Sequence, residues 1–481
     1  MNQADFQTLL PVMVLTVWAA LLLIVDLFID KEKKWMTALL AAVGLAGTMA
    51  ISLIQVGQTE TGFSEMVVLD GFSTFVSILL LFSGLMGISI AYGYLKRMGI
   101  ERGEYYSLIL FSIVGMMLMT QAADLIVVFI ALELLSIPLY VLAAFASTNA
   151  SSEESGIKYF LLGAFSGSFV VYGIALVFGA TGTTAIAEIA AAASAGTANV
   201  PLMLAGSALI LVGFGFKVAA VPFQMWTPDV YQGAPTSVTA FMAAGAKIAG
   251  FAALMRVFST AFPSIAADLT PVLAVLAALT MIVGNVAAIA QKNIKRMLAY
   301  SSIAHAGYIL MAFVAFGNPA LVGDAISAAI FYLVAYAVTN FGSWAIVISL
   351  EEKEGKGLAL DDYAGLGKSN PLMAAAMTIF MLSLTGIPPT LGLVGKIYLF
   401  RVVVEGGFIW LAIIGVLTSL ISAFYYLRVI VIMYMKEGEP KTTSEGWLDL
   451  TWGAMAIATV IFSFIPMSLF KWASEAVMML F

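Results

Sequence analysis

The chain has 481 residues, of which 62% are hydrophobic and 10% are charged, whereas a soluble globular protein is about a quarter charged. This composition excludes a soluble globular domain and predicts an all-α polytopic membrane protein. The sequence contains no cysteine and a single histidine, which excludes Fe–S ligation and thiol chemistry within this chain and argues against a haem or zinc site. No cofactor or metal is therefore expected here, and no basic surface suggests nucleic acid.

Apolar windows of about 20 residues, the length that crosses the hydrocarbon core, predict about 14 transmembrane spans. In chain order the predicted spans are 8–29, 36–55, 72–95, 106–121, 123–145, 158–180, 201–221, 237–258, 270–290, 299–316, 323–350, 371–404, 407–434 and 450–472.

The positions of Lys and Arg predict how these spans are oriented. The loops that follow odd-numbered spans carry most of the basic residues, for example Lys33 and Lys292. The loops and tail after even-numbered spans hold Arg256, Arg401 and Lys471. Because basic loops stay in the cytoplasm, both termini are predicted on the non-cytoplasmic side.

Prolines interrupt two of the predicted spans, one after Lys217 at Pro222 and one before Lys396 at Pro388 and Pro389. Proline removes a backbone donor, and broken backbone at membrane depth is tolerated only where it is buried or lines a polar cavity. The two breaks lie five spans apart, which favours two inverted five-helix repeats, spans 4–8 and 9–13. The predicted units are residues 1–105, 106–260, 261–440 and 441–481.

Four charged residues fall inside apolar spans: Glu133, Lys217, Lys247 and Lys396. Glu133 and Lys247 each lie roughly 15 Å into their spans, near the middle of the bilayer. A charge there costs about 2.5–3.5 kcal/mol on insertion scales, so it is rarely kept without a use. Burial disfavours the charge of an isolated Glu or Lys, whereas an opposite charge nearby favours it. A buried Glu and Lys can thus form a switchable proton site.

Other readings of the polar residues remain open. Lys158 is either a relay residue or a lysine that snorkels to the interface. His305 has a side chain suited to proton relay, but a hydrogen-bonded structural histidine is as plausible. Glu133 could instead be a protonated hydrogen-bond donor. Asp229 and Tyr231 could line an entrance, although an ordinary loop is the stronger reading.

Several long stretches carry a family resemblance. Residues 156–183, 214–254, 291–308 and 383–400 resemble the antiporter-like subunits of respiratory complex I, the bacterial NADH-quinone oxidoreductase or NDH-1. The first stretch resembles subunit N in particular. Subunit M has a glutamate where this chain has Lys396, and subunit L carries a long lateral helix beyond its core, whereas this chain is expected to finish with its last span.

The resemblance implies roles for individual residues. Glu133 would face the contact with a neighbouring subunit and pair with Lys217. Lys247 would be the central relay and Lys396 the lysine of the second half-channel, with weaker roles for Lys158 and His305. NAD(H), FMN, Fe–S clusters and quinone would belong to other subunits. The implied partners are the lipid bilayer, antiporter-like subunit M and small subunits such as K and J, in a bacterial inner membrane.

Three functions fit these observations to different degrees. The first is proton translocation, with Glu133, Lys217, Lys247 and Lys396 as proton-transfer groups and quinone reduction in neighbouring subunits as the driving force. The second is a subunit of a multi-subunit Na⁺/H⁺ (Mrp-type) antiporter, against which the stretch 156–183 argues. The third is a structural spacer, which the cost of several charges within membrane spans disfavours.

Overall fold

The structure is a computed structural model that describes residues 3–478. Its α-helices, in chain order, are α1 (Gln3–Asp26), α2 (Trp35–Ile54), α3 (Gly71–Met98), α4 (Glu104–Gln121), α5 (Leu125–Ala143), α6 (Ala150–Thr181), α7 (Ile186–Ser194), α8 (Val200–Val218), α9 (Trp226–Gly233), α10 (Thr236–Phe241), α11 (Lys247–Thr260), α12 (Ala266–Ile289), α13 (Ile294–Leu310), α14 (Val322–Leu350), α15 (Leu366–Ser369), α16 (Pro371–Thr385), α17 (Leu391–Glu405), α18 (Ile409–Met435), α19 (Gly446–Phe464) and α20 (Pro466–Met478). Two short antiparallel strands, β1 (Glu60–Gly62) and β2 (Val67–Leu69), join α2 to α3.

The helices match the predicted membrane protein, although the exact number of spans stays a prediction. Within residues 3–478, 12 helical segments are long and apolar enough to cross a membrane. The predicted fourth span is α4, which is not among them, and the predicted twelfth is divided between α16 and α17. The predicted last span, 450–472, differs from the structure, because α19 ends before Pro466 and α20 begins there. Proline disfavours helical backbone in the residue before it, which explains the interruption at Ile465.

Both proline-interrupted spans are broken in the structure. α8 is followed by Ala219 in the left-handed region (φ 63°), and α16 by Gly386 in the same region (φ 89°). The peptide bonds before Pro222 and Pro389 are cis. The chain resumes as α9 after the first break and as α17 after the second. The inverted relation of the two halves, and the four predicted units, stay predictions.

Two central helices, α11 and α13, are almost completely buried. Every residue from Lys247 to Ser259 in α11 is buried, and α13 buries all of its residues except Arg296 and Tyr300. Helices α1, α2, α6 and α18 instead expose large apolar side chains such as Phe165. These outer helices provide an apolar surface suited to lipid or to neighbouring membrane subunits.

Several connections between helices lie together on one side of the molecule. Ile100, Ala146, Asn293 and Leu358 belong to the connections α3–α4, α5–α6, α12–α13 and α14–α15, and all four line one cavity of about 830 Å³. The loops after four of the odd-numbered predicted spans therefore meet on one side of the molecule. We call this side the positive face, and its assignment to the cytoplasm stays a prediction.

Candidate functional site

Lys217 lies at the end of α8, one residue before Val218 and the break. Its side chain is 5% exposed, and its ammonium donates to Ser136 Oγ at 2.8 Å and to Tyr159 OH at 3.3 Å. Both partners are hydroxyl groups on neighbouring helices, α5 and α6. Trp226, the first residue of α9, stacks on the Tyr159 ring at 4.5 Å between centroids. The broken backbone thus helps to hold Lys217 against α5 and α6.

Glu133 lies on α5 one turn before Ser136, the residue that binds Lys217. The carboxylate is half-buried and lies against α6 at Gly167, where a Cβ would be 2.8 Å from Glu133 Oε1. The charge of Glu133 acts on Lys217, although the two side chains are not ion-paired, because Lys217 donates to Ser136 one turn further along α5. The apolar side chains Ile130 and Ile137 on the same helix are 53% and 55% exposed. Glu133 therefore connects an exposed face of the subunit with the buried lysine.

Lys247 begins α11, directly after a π-helical turn at Met242–Ala246. Such turns insert an extra residue into a helix and are frequent at functional sites. The Lys247 ammonium is 5.3 Å from the Tyr336 ring centroid and donates to both the carbonyl and the hydroxyl of Ser302. Tyr336 OH donates to the same Ser302 hydroxyl at 3.0 Å. Ser302 is thus the shared partner of a lysine and a tyrosine.

Tyr231 is the residue that spans the region between the two lysines of the first half. Its hydroxyl lies close to Ser302, the partner of Lys247, and its ring meets that of Trp226 with centroids 6.0 Å apart. Trp226 in turn stacks on Tyr159, the partner of Lys217. Tyr231 lies within α9 and is 2% exposed, so the interpretation of Tyr231 as an ordinary loop residue is wrong. It lies in the interior, between Lys217 and Lys247.

His305 lies one turn after Ser302 on α13 and is 3% exposed. Its Nδ1 is hydrogen-bonded with Tyr332 OH at 2.7 Å and its Nε2 with Tyr426 OH at 3.1 Å. Tyr426 also shares a hydrogen bond with the Ser301 hydroxyl. Both imidazole nitrogens therefore have hydroxyl partners, which suits either a proton relay or a fixed structural histidine.

Lys396 closes the series from α17. Its ammonium donates to the carbonyls of Leu384 and Thr385, at 3.1 and 2.9 Å, and to Ser419 Oγ at 3.0 Å. The two carbonyls belong to the last turn of α16, where helix carbonyls lack intrahelical partners and the helix dipole favours a cation. The ring of Tyr308, one turn after His305, is 4.5 Å from Lys396 Nζ. We call the series from Lys217 to Lys396, with these hydroxyl partners, the central axis.

Lys158 lies apart from the central axis, on the rim of the positive-face cavity. It is ion-paired with Glu154 at 2.6 Å and with Asp229 at 2.7 Å, and Arg296 contacts Asp229 at 2.8 Å. Partial burial raises the pKa of Asp229, but the hydrogen bonds from Lys158 and Arg296 outweigh it and hold the pKa below its usual value. Asp229 thus remains a charged member of an ion-pair cluster that lines this cavity.

Several site residues were missed from the sequence. Ser136, Ser302, Tyr308 and Tyr426 are uncharged, so the search for buried charges passed over them. The signal was present on α13, where Ser302, His305 and Tyr308 recur every third residue and hence share one face. Lys295 falls between the predicted spans 270–290 and 299–316, but in the structure it lies inside α13 and is 2% exposed.

Comparison with known proteins identifies the family. Residues 122–422 match the family model described as NADH:quinone oxidoreductase/Mrp antiporter, TM. A relative from Trichlorobacter lovleyi, NADH-quinone oxidoreductase subunit N, is 46% identical over 98% of this chain and 97% of its own. A chain in respiratory complex I from Thermus thermophilus superposes with a TM-score of 0.83 at 33% identity, over 96% of this chain and 99% of that chain.

A second structural match is more distant in sequence. A chain of the Mrp complex from Dietzia sp. superposes with a TM-score of 0.86 at 20% identity, over 99% of this chain and 97% of that chain. At that identity the match shows a shared fold alone. The family is identified by the two matches above, at 46% and 33% identity over nearly the full chain. The chain therefore belongs to the NADH-quinone oxidoreductase subunit N family, the antiporter-like membrane subunits of respiratory complex I.

Proposed function

We propose that this chain translocates protons along the central axis as a membrane subunit of an NADH-quinone oxidoreductase, driven by quinone reduction elsewhere in the complex. The observation that carries the proposal is the series of buried polar groups from Lys217 to Lys396, with the half-buried Glu133 one turn from Ser136 at its beginning. The oxidoreductase label belongs to the complex, with NAD(H), FMN, Fe–S clusters and quinone in other subunits. Subunits M, K and J are the proposed neighbours, in a bacterial inner membrane.

The partners of the lysines support a switchable site. Lys217, Lys247 and Lys396 donate to hydroxyl and carbonyl oxygens, and none forms an ion pair with a carboxylate among the described residues. A buried ammonium without a paired anion is held by hydrogen bonds alone, so nearby charges decide whether it keeps its proton. Loss of charge at Glu133 would thus favour release of the proton from Lys217.

The route of the released proton follows from the order of the contacts. Tyr231 and Ser302 lie between Lys217 and Lys247, and both can accept and donate a proton through their hydroxyls. His305 continues the route towards Lys396, with Tyr332 or Tyr426 as its hydroxyl partners. The chain needs only hydroxyl, imidazole and amine groups for this transfer.

The Na⁺/H⁺ antiporter alternative receives less support. The fold is shared with the Mrp complex, but the identity of 20% carries no statement about activity. The similarity at 46% over nearly the full chain is to subunit N. An antiporter would also exchange ions without electron flow, which makes the two functions separable by experiment.

The test is proton uptake in membrane vesicles that carry Lys217→Ala in the assembled complex, with quinone-reductase activity measured in the same vesicles. Lys292→Ala is the matched control, because Lys292 is an exposed lysine on the positive face. We expect the first variant to lose NADH-driven uptake and the second to retain it. Full uptake by an assembled Lys217→Ala complex would refute the proposal.

A further inference from the structure

The cavity on the positive face has the size and lining of an aqueous vestibule. Its volume of about 830 Å³ has room for many water molecules, and its walls include Tyr94, Asp229, Lys295, Arg296 and Glu351. Asp229 and Arg296 are ion-paired with one another. Lys295 on α13 and Glu351 directly after α14 instead have no close ion pair among the described residues. We call this cavity the vestibule.

Glu351 is the group in this wall whose hydrogen bonding is incomplete. It directly follows α14, and it is 7% exposed. Tyr94 OH donates to its Oε1 at a long 3.4 Å, and its Oε2 has no hydrogen-bond partner within the described residues. A buried carboxylate oxygen without a partner is costly, and buried polar groups are normally satisfied by protein or water. Water or a proton from the vestibule would satisfy Oε2.

Lys295 lines the vestibule and lies on α13, the helix that also carries Ser302 of the central axis. It is 2% exposed, and its ammonium donates to the Ala234 carbonyl at 2.7 Å. The charge of Glu351 acts on it. Lys295 is on α13 about two turns before Ser302, the partner of Lys247. A proton on Lys295 is therefore held at the vestibule wall, on the helix that leads to the central axis.

The charged groups around Glu351 come from several elements. Tyr94 approaches from α3 and Lys295 from α13, and the neutral hydroxyl of Tyr363 is near enough for the Glu351 charge to act on it. Arg97, which lies near Tyr94, is engaged elsewhere, with Glu445 at 2.6 Å. Glu351 is therefore a carboxylate that faces a tyrosine and a buried lysine but has no close ion pair among the described residues.

We propose that Glu351 is the intake group of this subunit, which takes protons from vestibule water and passes them through Lys295 to the central axis. One proton moves from water to Glu351 Oε2, and then from the carboxyl group to the neutral amine of Lys295. No bond between heavy atoms changes. The inference rests on the proposed function, since it gives the proton path its opening on the positive face.

The test compares Glu351→Gln with Glu352→Gln in the assembled complex. Gln keeps the size and the hydrogen bond with Tyr94 but cannot carry a proton, whereas Glu352 lines the same cavity and is less buried. We expect Glu351→Gln to lower NADH-driven proton uptake at least about tenfold. Glu351→Asp should keep part of the uptake, and the control Glu352→Gln should stay within about twofold of the native chain. Formate, a small weak acid, should partly restore uptake in Glu351→Gln, which a purely structural role would not produce.

The outcomes separate this inference from the proposed function. If Glu351→Gln takes up protons normally while Lys217→Ala does not, the intake assignment is wrong and the pump stands. If both variants take up protons normally, the proposed function fails as well. A loss in Glu351→Gln that neither Asp nor formate relieves would also overturn the intake role.

Access to the vestibule has its own measurement, which does not depend on activity. The native chain has no cysteine, so Ala150→Cys in the vestibule wall and Ser194→Cys on α7 each provide a single thiol in this chain. We expect a membrane-impermeant thiol reagent to label the first from the positive face and the second from the opposite face. No labelling of Ala150→Cys from the positive face would contradict an open vestibule.

Discussion

Replacement of Tyr426 by Phe tests whether protons pass through the hydroxyl groups around His305. The substitution keeps the ring and removes one oxygen, which contacts His305 Nε2 at 3.1 Å and also bonds Ser301. The residue is fully buried, so no bulk water replaces the lost group. The change therefore interrupts one of the two hydroxyl contacts of the imidazole and leaves the packing intact.

The expected size of the effect follows from His305 Nε2, which loses its hydroxyl partner. A buried polar group that loses its hydrogen-bond partner costs about 1–3 kcal/mol. If that cost is added to the barrier for transfer past His305, the step slows by about 5- to 150-fold. We expect NADH-driven proton uptake and coupled quinone reduction to fall by a factor in this range, with the complex assembled in normal amount.

The control is Tyr434→Phe on the same helix, α18. Tyr434 is 45% exposed, so loss of its hydroxyl leaves no buried group unpaired. Uptake is measured in vesicles with a pH-sensitive dye, together with quinone-reductase turnover. If the Tyr426 and Tyr434 variants pump alike, the path does not pass through the Tyr426 hydroxyl, and Tyr332 on the other imidazole nitrogen becomes the remaining candidate.

Two further substitutions test the second break and a buried ion pair. Gly386→Ala should destabilise the folded subunit by about 1–2 kcal/mol because of the left-handed backbone, and should lower proton uptake because its Cβ would lie 3.0 Å from Lys396 Cδ. Gly407→Ala is the control, with φ 84° and open space around it, and it should lose the same thermal stability but keep its proton uptake. Equal proton uptake in the two variants would contradict a role for the position of Lys396. Arg256→Met should leave the buried carboxylate of Asp70, its partner at 2.9 Å, unpaired and lower the stability of the fold by about 3–5 kcal/mol. The measurement is the amount of assembled subunit after heating, and unchanged heat resistance would contradict the prediction.

The sequence predicted those features of the fold that depend on apolar length and on proline. The membrane class follows from composition, and both breaks follow from prolines that lie beside Lys217 and Lys396. The interruption before Pro466 had the same signal, but the apolar window across it favoured one span. Local chemistry can thus end a helix where average hydropathy does not.

Partners contributed by distant helices could not be predicted in the same way. Lys217 binds Ser136, 81 positions away, and Ser residues in apolar spans are too common to single out. Lys295 belongs to the segment Lys292–Arg296, whose basic residues are typical of a loop, yet tertiary packing buries it within α13. Such residues become recognisable once the helices that surround them are known.

The two broken helices hold their lysines by different chemistry, although they look alike in sequence. The Lys396 ammonium has three N–H groups, and the structure supplies three acceptors, of which the carbonyls of Leu384 and Thr385 can only accept. A neutral amine at that position would keep two N–H groups for these carbonyls, and the Ser419 hydroxyl could donate to its lone pair. Of the Lys217 partners, the Ser136 hydroxyl donates its own proton to the Leu132 carbonyl, whereas the Tyr159 hydroxyl can turn and donate to a neutral amine. Within the proposed pump, both sites therefore accommodate a neutral amine. The carbonyl end of α16 favours the charged form at Lys396 through the helix dipole, whereas Lys217 has uncharged hydroxyl partners alone, which gives the path a switching end at Lys217 and a holding end at Lys396.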